Sequence, residues 1–284
     1  MRSLGKVTYR LKKGGNTMNI LVCVKQVPDT NEIKIDPVKN TLIRQGVPSI
    51  VNPFDGYALE AAARIKDKDP ETKIIVMSMG PEQAKAALKE CVAIAADKAY
   101  LVSGRKFGGS DTLATSYIIA NAAKMIEEKE GIKFDMFFFG KQAIDGDTAQ
   151  VGPEVGEHLG LPQVTYGLEA EVDGDMIKVK KEVDGGVEIV GCPIPCVVTF
   201  TKPSFDPRFP TIKRKLAANR AQIPVISDEE LVLDETMIGL KGSPTRVKST
   251  HVPQKKSGGL KIAAETPEDS AKQLYAALSD AGVL

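Results

Sequence analysis

A loop of small and acidic residues, GKQAIDGDTAQVGPE (140–154), directly follows the most apolar run of the chain, FDMFFFG (134–140). The loop offers backbone amides and carboxylates but no pair of a nucleophile and a base. It leads into a predicted helix over residues 148–159, which Gly160 ends as C-cap. Free amides at the start of a helix bind anions, and Gly146 has no side chain to obstruct a ligand. The loop therefore predicts a phosphate site.

The two carboxylates of this loop, Asp145 and Asp147, would repel a phosphate if they faced it. We therefore expect them to cap the helix or to accept a hydrogen bond from a ribose hydroxyl. The alternative is that the loop uses its Asp and Gly residues only for turn geometry.

A second loop, FGGSDT (107–112), is similar to the phosphate loop Ser-Gly-Gly-x-Asp-Ser of ATP pyrophosphatases. The match is incomplete, because Phe107 replaces the leading serine and the loop follows the third predicted strand instead of the first. An ATP-cleaving enzyme is therefore an alternative with weak support, and Ser110 has a simpler interpretation as the N-cap of a helix.

Residues for covalent or metal chemistry are scarce. The two histidines, His158 and His251, are far apart in sequence, which disfavours a zinc site or a His-dependent triad. We predict no catalytic residue and no metal ligand, so that any reaction belongs to a bound cofactor. The four cysteines are scattered, and only Cys192 and Cys196 are close, on either side of a Pro-Ile-Pro turn. This pattern favours a reducing cytoplasm.

Composition excludes several classes of partner. The chain has 284 residues, of which 42% are hydrophobic, and its 38 Lys and Arg against 37 Asp and Glu leave a net charge of +1. This balance gives no electrostatic argument for nucleic acid or for a membrane surface. No apolar run approaches the ~18 residues of a membrane span.

Residues 1–17 carry five basic and no acidic side chains and precede an internal Met18. This composition resembles a transit peptide. Alternatively, Lys13 to Asn16 correspond to a ribosome-binding site translated as codons, which would make Met18 the native start. We favour the second interpretation, and N-terminal mass spectrometry of the natural protein distinguishes the two.

The elements that must position the loops alternate between short apolar runs and longer helical patterns. Strands are predicted at 19–25, 73–80, 98–103, 134–140 and 196–200. Helices are predicted at 53–67 with Asn52 as N-cap, at 81–96 and at 111–130. This alternation predicts an α/β fold with a doubly wound, mainly parallel sheet. Ligands of such sheets lie beyond the carboxyl ends of the strands, where the loops 24–30, 78–83 and 140–154 converge.

Beyond Leu161 the pattern changes. Residues 165–190 alternate in polarity and contain two Asp-Gly turns, which predicts an antiparallel hairpin beside the sheet. We place a nucleotide-binding domain at 18–220. We interpret 221–284, which ends in an amphipathic helix at about 267–281, as an extended C-terminal arm that packs on a partner.

Four motifs carry a resemblance to a known family: VKKEVDGGVEIVGCPIPCVVT (179–199), VKQVPDT (24–30), NPFDGYALE (52–60) and GKQAIDGDTAQVG (140–152). With them the chain resembles the beta subunit of electron transfer flavoproteins. The resemblance implies a Rossmann-like fold, an alpha-subunit partner for the arm, and an adenine nucleotide held by the loops at the sheet edge. The contact residues it implies are Cys23, Asn52, Pro53, Phe54, Asp55, Met79, Gly140, Lys141, Gln142, Ala143, Ile144, Asp145, Gly146, Asp147, Thr148, Ala149, Gln150 and Val151.

The family has two branches. In the ordinary branch the beta subunit holds AMP as a structural ligand; in the bifurcating branch the same site holds the adenosine half of an FAD. VKQVPDT, IDPVKNTLIRQGVPSIVNP (35–53), and Gly146 with Thr148 resemble the bifurcating branch. That resemblance implies hydride transfer from NADH to this FAD. One electron then passes to the alpha-subunit FAD and on to an acyl-CoA dehydrogenase or lactate-dehydrogenase-type flavoenzyme, and the other passes to ferredoxin or flavodoxin.

A basic stretch, DPRFPTIKRKLAANR (206–220), sets Ile212 and Leu216 four residues apart on one helical face. The resemblance implies that this stretch is a recognition loop, with Ile212 as the apolar anchor for the partner dehydrogenase. The alternative is a solvated basic helix that packs both apolar residues on the protein's own core.

Overall fold

The computed structural model describes residues 17–29, 48–248 and 259–284. The described residues fall into two compact units, of which the first contains 17–29 and 48–248 and the second contains 259–284. The predictions for residues 1–16, for His251 and for most of the stretch 35–53 lie outside the described residues.

The first unit is built on a nine-stranded sheet in the order β11-β5-β4-β1-β6-β10-β7-β8-β9. Its strands are β1 (Asn19–Cys23), β4 (Lys73–Met79), β5 (Lys98–Ser103), β6 (Met136–Gly140), β7 (Gln163–Asp173), β8 (Met176–Val183), β9 (Gly186–Pro193), β10 (Cys196–Phe200) and β11 (Val225–Ser227). Two short strands, β2 (Gln26–Pro28) and β3 (Ser49–Val51), pair separately and antiparallel. The helices are α1 (Pro53–Lys68), α2 (Lys85–Ile94), α3 (Thr112–Glu130), α4 (Val151–Leu159), α5 (Ile212–Arg220) and α6 (Pro267–Asp280).

The predicted fold class is confirmed: every neighbour pair from β11 to β7 is parallel, and β7, β8 and β9 form an antiparallel meander. The meander belongs to the same sheet instead of lying beside it. It continues the sheet from β7, and the chain then returns through β10, which lies between β6 and β7.

Two hydrophobic cores cover the two faces of the sheet. One joins β1, β4 and β6 to α1 and α2 through residues such as Ile20, Leu59 and Leu88. The other joins the opposite face to α3 and α4 through residues such as Phe137, Ile118 and Val155. Every residue of β1 and of β10 is buried, which explains why these strands are apolar without alternation.

Helix boundaries depart from the sequence prediction where the backbone leaves the right-handed region. Helix α4 begins at Val151, three residues later than predicted, because Asp147 and Ala149 both have a φ of 53°. Gly160 ends the helix with a φ of 65°, as predicted. At α3 the N-cap is Asp111, whose carboxylate accepts from the amide of Ala114, so Ser110 is not the cap.

The order of the strands produces a topological switch point, where a crevice is expected between the diverging connections. The chain passes from β1 through α1 to β4 on one side of the sheet, whereas β6, the neighbour of β1 on the other side, leads away through α4. The carboxyl ends of β1 and β6 therefore flank a topological switch point, the usual ligand position in a doubly wound sheet.

Beyond residue 220, where the predicted C-terminal arm begins, β11 adds to the sheet edge beside β5. Helix α6 of the second unit begins with Thr266 as N-cap and has no buried residue. Whether this part of the chain packs on a partner stays a prediction. Among the described residues, no helix is long and apolar enough to cross a membrane.

The end of β6 approaches the first turn of α1 so closely that only glycine fits at position 140. A Cβ on Gly140 would lie 2.3 Å from the Asp55 Oδ1 atom and 2.7 Å from the Asp55 backbone nitrogen. We expect Gly140→Ala to lower the free energy of unfolding by about 3 kcal/mol, because backbone must move to relieve the overlap. Urea denaturation followed by circular dichroism measures the change.

Gly156→Ala in α4 is the matched control, since its Cβ would make ordinary contacts at 3.5 Å. We expect that variant to be as stable as the wild type or up to ~1 kcal/mol more stable, because alanine favours a helix. Equal denaturation midpoints for both variants would contradict the close approach at Gly140.

Candidate functional site

The structure brings the predicted contact residues to one edge of the sheet. Cys23, Met79 and Gly140 are the last residues of β1, β4 and β6, and the register places Cys23 opposite Met77 and Phe139. Residues 52–55, at the start of α1, and residues 140–151, which connect β6 to α4, complete the set.

Asp55 joins three of these segments. Its buried carboxylate accepts one hydrogen bond from the amide of Lys25, at 2.7 Å, and one from the amide of Gly140, at 3.1 Å. Burial raises the pKa of this carboxyl to about 7, although hydrogen bonds from Asn52, Lys25 and Gly140 act in the opposite direction. The group therefore titrates near neutral pH.

The thiol of Cys23 stays protonated in this setting. Burial, and next the negative charge of Asp55, raise the pKa of Cys23 well above its usual range. A protonated thiol is a poor nucleophile, so Cys23 is part of the wall of the site and not a reactive group.

Asn52 organises the loop after β6. The residue occupies the predicted N-cap position of α1, but its side chain makes no capping hydrogen bond. Instead, its amide nitrogen donates to the carbonyl of Gln142 at 2.8 Å, and its Oδ1 accepts from the amide of Ile144 at 3.2 Å. Asn52 is therefore the N-cap residue of α1, as predicted, but the loop after β6 uses both polar atoms of its buried side chain.

The two aspartates of the loop do not cap α4. Asp145 accepts from the ammonium group of Lys25 at 2.6 Å, and Asp147 accepts from the side chain of Gln142 at 2.7 Å. The cap position of α4 is occupied by Gln150, without a side-chain capping bond. The positive charge of Lys25 offsets the negative charge of Asp145. The loop therefore repels an anion less than its two aspartates alone would predict.

The start of α4 presents a run of free amides. Within the part of the chain that the structure describes, the backbone N–H groups of residues 148–152 donate to no protein acceptor. Asp147 and Ala149, both with positive φ, alternate with Thr148. Alternating backbone of this kind turns successive amides toward one concavity, which binds anions, and the dipole of α4 adds to the effect. The loop is therefore suited to a phosphate.

Space above the loop is open at Gly146. A Cβ built on this residue meets nothing within 4 Å, and its backbone does not need the left-handed region. The protein's own packing therefore does not require glycine there.

Two further residues at this edge, Tyr166 and Lys25, were missing from the predicted contact residues. Lys141 places its ammonium group 5.1 Å from the centre of the Tyr166 ring, which is 37% exposed. Tyr166 has a φ of 60° and lies where β7 changes its pairing from β10 to β8. No local pattern predicts such a bulge. Lys25, by contrast, lies within a motif that the sequence analysis had quoted.

The FGGSDT loop is occupied by contacts within the chain. Ser110 donates to the carbonyl of Phe107 and accepts from the amide of Gly239, and Asp111 accepts from Thr245. These hydrogen bonds attach residues 239–245 to the loop. The side chains of Ser110 and Asp111 are therefore already hydrogen-bonded within the protein. The geometry therefore favours a structural role and gives ATP cleavage no support.

The structure contains little for other chemistry. Among the described residues, no three His, Cys, Asp or Glu side chains are grouped to hold a metal ion. The ring of His158 packs against Tyr117, and all four cysteines are buried free thiols.

Ile212 and Leu216 lie on α5 and are 82% and 57% exposed. In this helix only Ala218 is buried. The alternative that both apolar residues pack on the protein's own core is therefore wrong, and they form an unpartnered apolar face among basic side chains.

A doubly wound sheet with a topological switch point and a loop of free amides beside it defines an α/β protein with a candidate phosphate site. Comparison with known proteins narrows this class. The electron transfer flavoprotein domain matches residues 39–231, more than half of the chain. The chain belongs to the electron transfer flavoprotein family.

Three relatives illustrate this membership. The chain is 51% identical to the electron transfer flavoprotein subunit beta of Megasphaera elsdenii, over 89% of this chain and 94% of that one. It is 43% identical to the caffeyl-CoA reductase-Etf complex subunit CarD of Acetobacterium woodii, over 94% of this chain and all of CarD. Protein FixA of Azotobacter vinelandii is 41% identical, over 92% and 94% of the two chains.

The buried carboxyl of Asp55 predicts a pH dependence of stability. Because its pKa is about 7 in the folded chain and about 4 when unfolded, the folded state binds the additional proton between these values. The free energy of unfolding should fall as pH rises from about 4 to about 7 and then stay level. The total change is on the order of 4 kcal/mol.

Subtracting the stability of Asp55→Asn at each pH isolates this contribution, since asparagine does not titrate. Urea denaturation of both full-length chains between pH 4.5 and 8.5 provides the measurement. A wild-type minus variant difference that is independent of pH would mean that Asp55 keeps an ordinary pKa.

Proposed function

We propose that this chain is the beta subunit of a heterodimeric electron transfer flavoprotein and that its switch-point crevice binds the adenosine and phosphate part of an FAD. The observation that carries the proposal is the run of free amides at residues 148–152 beside the open space at Gly146. A phosphate satisfies these amides, and a bulky nucleotide explains why no side chain occupies that space.

The residues present fit such a group. The amides at the start of α4 would hold the phosphate. Residues 140–147 would line the adenosine, in a conformation fixed by Asn52 and by the Lys25–Asp145 ion pair. Cys23, Met79 and residues 52–55 would form the remaining walls. None of them is a catalytic group, so the task of the chain is to bind and orient.

When bound, FAD would supply the conversion of a two-electron donor into two one-electron transfers. We propose NADH as the donor. One electron goes to the alpha-subunit FAD and then to a flavin-dependent dehydrogenase, either an acyl-CoA dehydrogenase or a lactate-dehydrogenase-type flavoenzyme. The other goes to ferredoxin or flavodoxin. The similarity to CarD, whose name places it in a complex with a reductase, supports this bifurcating branch.

AMP as a structural ligand is the second candidate, because the observations at the site fit it as well as they fit FAD. The free amides and the open space account only for a phosphate and its adenosine, which AMP and FAD share. In that case the chain would have no role in NADH oxidation. In both cases four free, buried cysteines support a reducing compartment such as the cytoplasm.

Nucleotide content distinguishes the two candidates. We would coexpress the chain with an alpha subunit, denature the purified heterodimer and quantify released FAD and AMP. Two FAD per heterodimer would support bifurcation; one FAD and one AMP would leave an ordinary electron carrier.

Gly146→Val tests the site itself. We expect the variant to lose at least half of the nucleotide bound by the beta subunit, because the valine side chain fills the open space, while folding is unchanged. Gly186→Val is the matched control, since a Cβ there also meets nothing within 4 Å but lies in the meander. Full nucleotide occupancy in Gly146→Val would place the ligand elsewhere.

Docking of the dehydrogenase is proposed at Ile212 and Leu216. We expect Ile212→Ala to raise the KM for the dehydrogenase about tenfold, because a largely exposed isoleucine contributes ~1.5–3 kcal/mol when an interface buries it. NADH-driven flavin reduction without the dehydrogenase should be unchanged.

The electron acceptor in this assay is a purified acyl-CoA dehydrogenase or, if the wild type does not reduce it, a lactate-dehydrogenase-type flavoenzyme. Val232→Ala removes an equally exposed apolar side chain outside the docking face and serves as control. An unchanged KM for Ile212→Ala would remove the docking role.

A further inference from the structure

Residues 206–220, hereafter the docking segment, are attached to α1 by one arginine. The Arg208 guanidinium donates to both carboxylate oxygens of Glu60, at 2.8 and 3.2 Å, and to both of Asp67, at 3.1 and 2.6 Å. The Arg208 backbone amide adds a bond to Glu60 at 3.1 Å. Five hydrogen bonds from one residue make this more than an ordinary surface ion pair.

The Glu60 carboxylate is buried, with its side chain 4% exposed, and Arg64 also donates to it at 3.0 Å. Burial alone would raise the pKa of Glu60, but the hydrogen bonds from Arg208 and Arg64 hold it below its ordinary value. Arg64 in turn stacks on the ring of Phe205, with its central carbon 3.4 Å from the ring centre. The start of the docking segment is therefore fixed on α1.

A second arginine attaches the segment to α2. Arg214 donates from Nε to the carbonyl of Ala93 and from one terminal nitrogen to the carbonyls of Val92 and Ala96. These carbonyls lie at the C-terminal end of α2, where they lack partners within the helix and where a positive charge is favoured.

Between the two arginines the segment crosses a groove. A cavity of about 460 Å³ lies under it, lined by Ala63 and Pro70 on the α1 side and by Ile94 and Ala95 on the α2 side. Phe209 is 91% exposed, next to the exposed Ile212. The exposed apolar side chains therefore belong to a stretch that is attached to α1 by Arg208 and to α2 by Arg214.

We propose that Arg208 and Arg214 are positioning residues that hold Phe209, Ile212 and Leu216 as one preformed apolar surface for the partner dehydrogenase. The inference rests on the docking role proposed above. A segment fixed before binding avoids the entropy cost of ordering it in the complex, which lowers the KM for the partner without changing the chemistry. The arginines themselves need not touch the partner.

The charge around this surface indicates what the partner presents. Lys213, Lys215 and Arg220 are basic, and Lys213 and Lys215 are exposed beside the apolar side chains. A complementary surface is an apolar pocket bordered by acidic residues, and Phe209 is a second anchor for it besides Ile212.

Hydrogen exchange of the heterodimer tests the positioning without any partner. In Arg214→Gln, and in the double variant Glu60→Gln/Arg208→Gln, we expect amides of residues 209–216 to exchange at least about tenfold faster. Because the double variant removes the Glu60 carboxylate together with Arg208, no buried charge loses its Arg208 partner, and the chain still folds. Lys124→Gln, an exposed charge removed from α3 on the opposite face, is the control and should not change the exchange.

Electron transfer to the same dehydrogenase gives the second measurement. We expect both variants to raise its KM about tenfold with kcat within twofold of the wild type, and Arg208→Lys to restore part of the loss, since it keeps the charge but not the two-pronged geometry. Phe209→Ala should raise the KM as Ile212→Ala does.

The outcomes separate the positioning from the docking. Exchange at the control level would overturn the positioning role, whatever the KM. Faster exchange with an unchanged KM, while Ile212→Ala still raises it, would also overturn the role but keep the docking surface. If no variant, Ile212→Ala included, changes the KM, the docking function fails and the inference fails with it.

Discussion

A buried carboxylate at the topological switch point connects the parts of this protein that form the candidate site. Asp55 belongs to the first turn of α1. One of its carboxylate oxygens accepts a hydrogen bond from the amide of Lys25, which follows β1, and the other accepts one from the amide of Gly140, at the end of β6. Gly140 is required for that approach, because any side chain there would overlap with Asp55. Asn52 lies beside Asp55 at the start of α1. Its side chain makes two hydrogen bonds to residues 142–144 and so holds the loop after β6 in place.

The chemistry of the site follows from which groups remain uncommitted. Its side chains are largely used within the protein: Asn52 bonds the loop, Asp145 pairs with Lys25 and Cys23 is held as a thiol. The backbone amides before α4 are the groups left for a ligand. A site made of amides and small residues is suited to holding a phosphate, which is the basis of the proposed nucleotide binding.

Helix α1 connects the crevice to the docking segment. Its N-terminal turn carries Asp55, which holds the crevice, and its later turns carry Glu60 and Asp67, which hold Arg208. The proposed nucleotide site and the start of the docking segment are therefore both held by α1.

Local pattern determined much of the molecule. Apolar runs such as 19–23 and 196–200 have no alternation because helices cover both faces of their strands, and this alone predicts a parallel, doubly wound sheet. The Asp-Gly turns predicted the antiparallel strands, and the convergence of three loops at the carboxyl edge predicted where the site lies. These features depend on residues near one another in sequence, so the sequence carries them directly.

Tertiary structure decided what depends on residues far apart. The insertion of β10 between β6 and β7 and the pairing of Lys25 with Asp145 result from contacts between residues far apart in the chain, and the late start of α4 results from backbone angles that no propensity predicts. The same holds for Arg208, whose partners Glu60 and Asp67 lie more than 140 residues away. The charges of these residues can be read from the sequence, but which charges lie within hydrogen-bonding distance is decided by the fold.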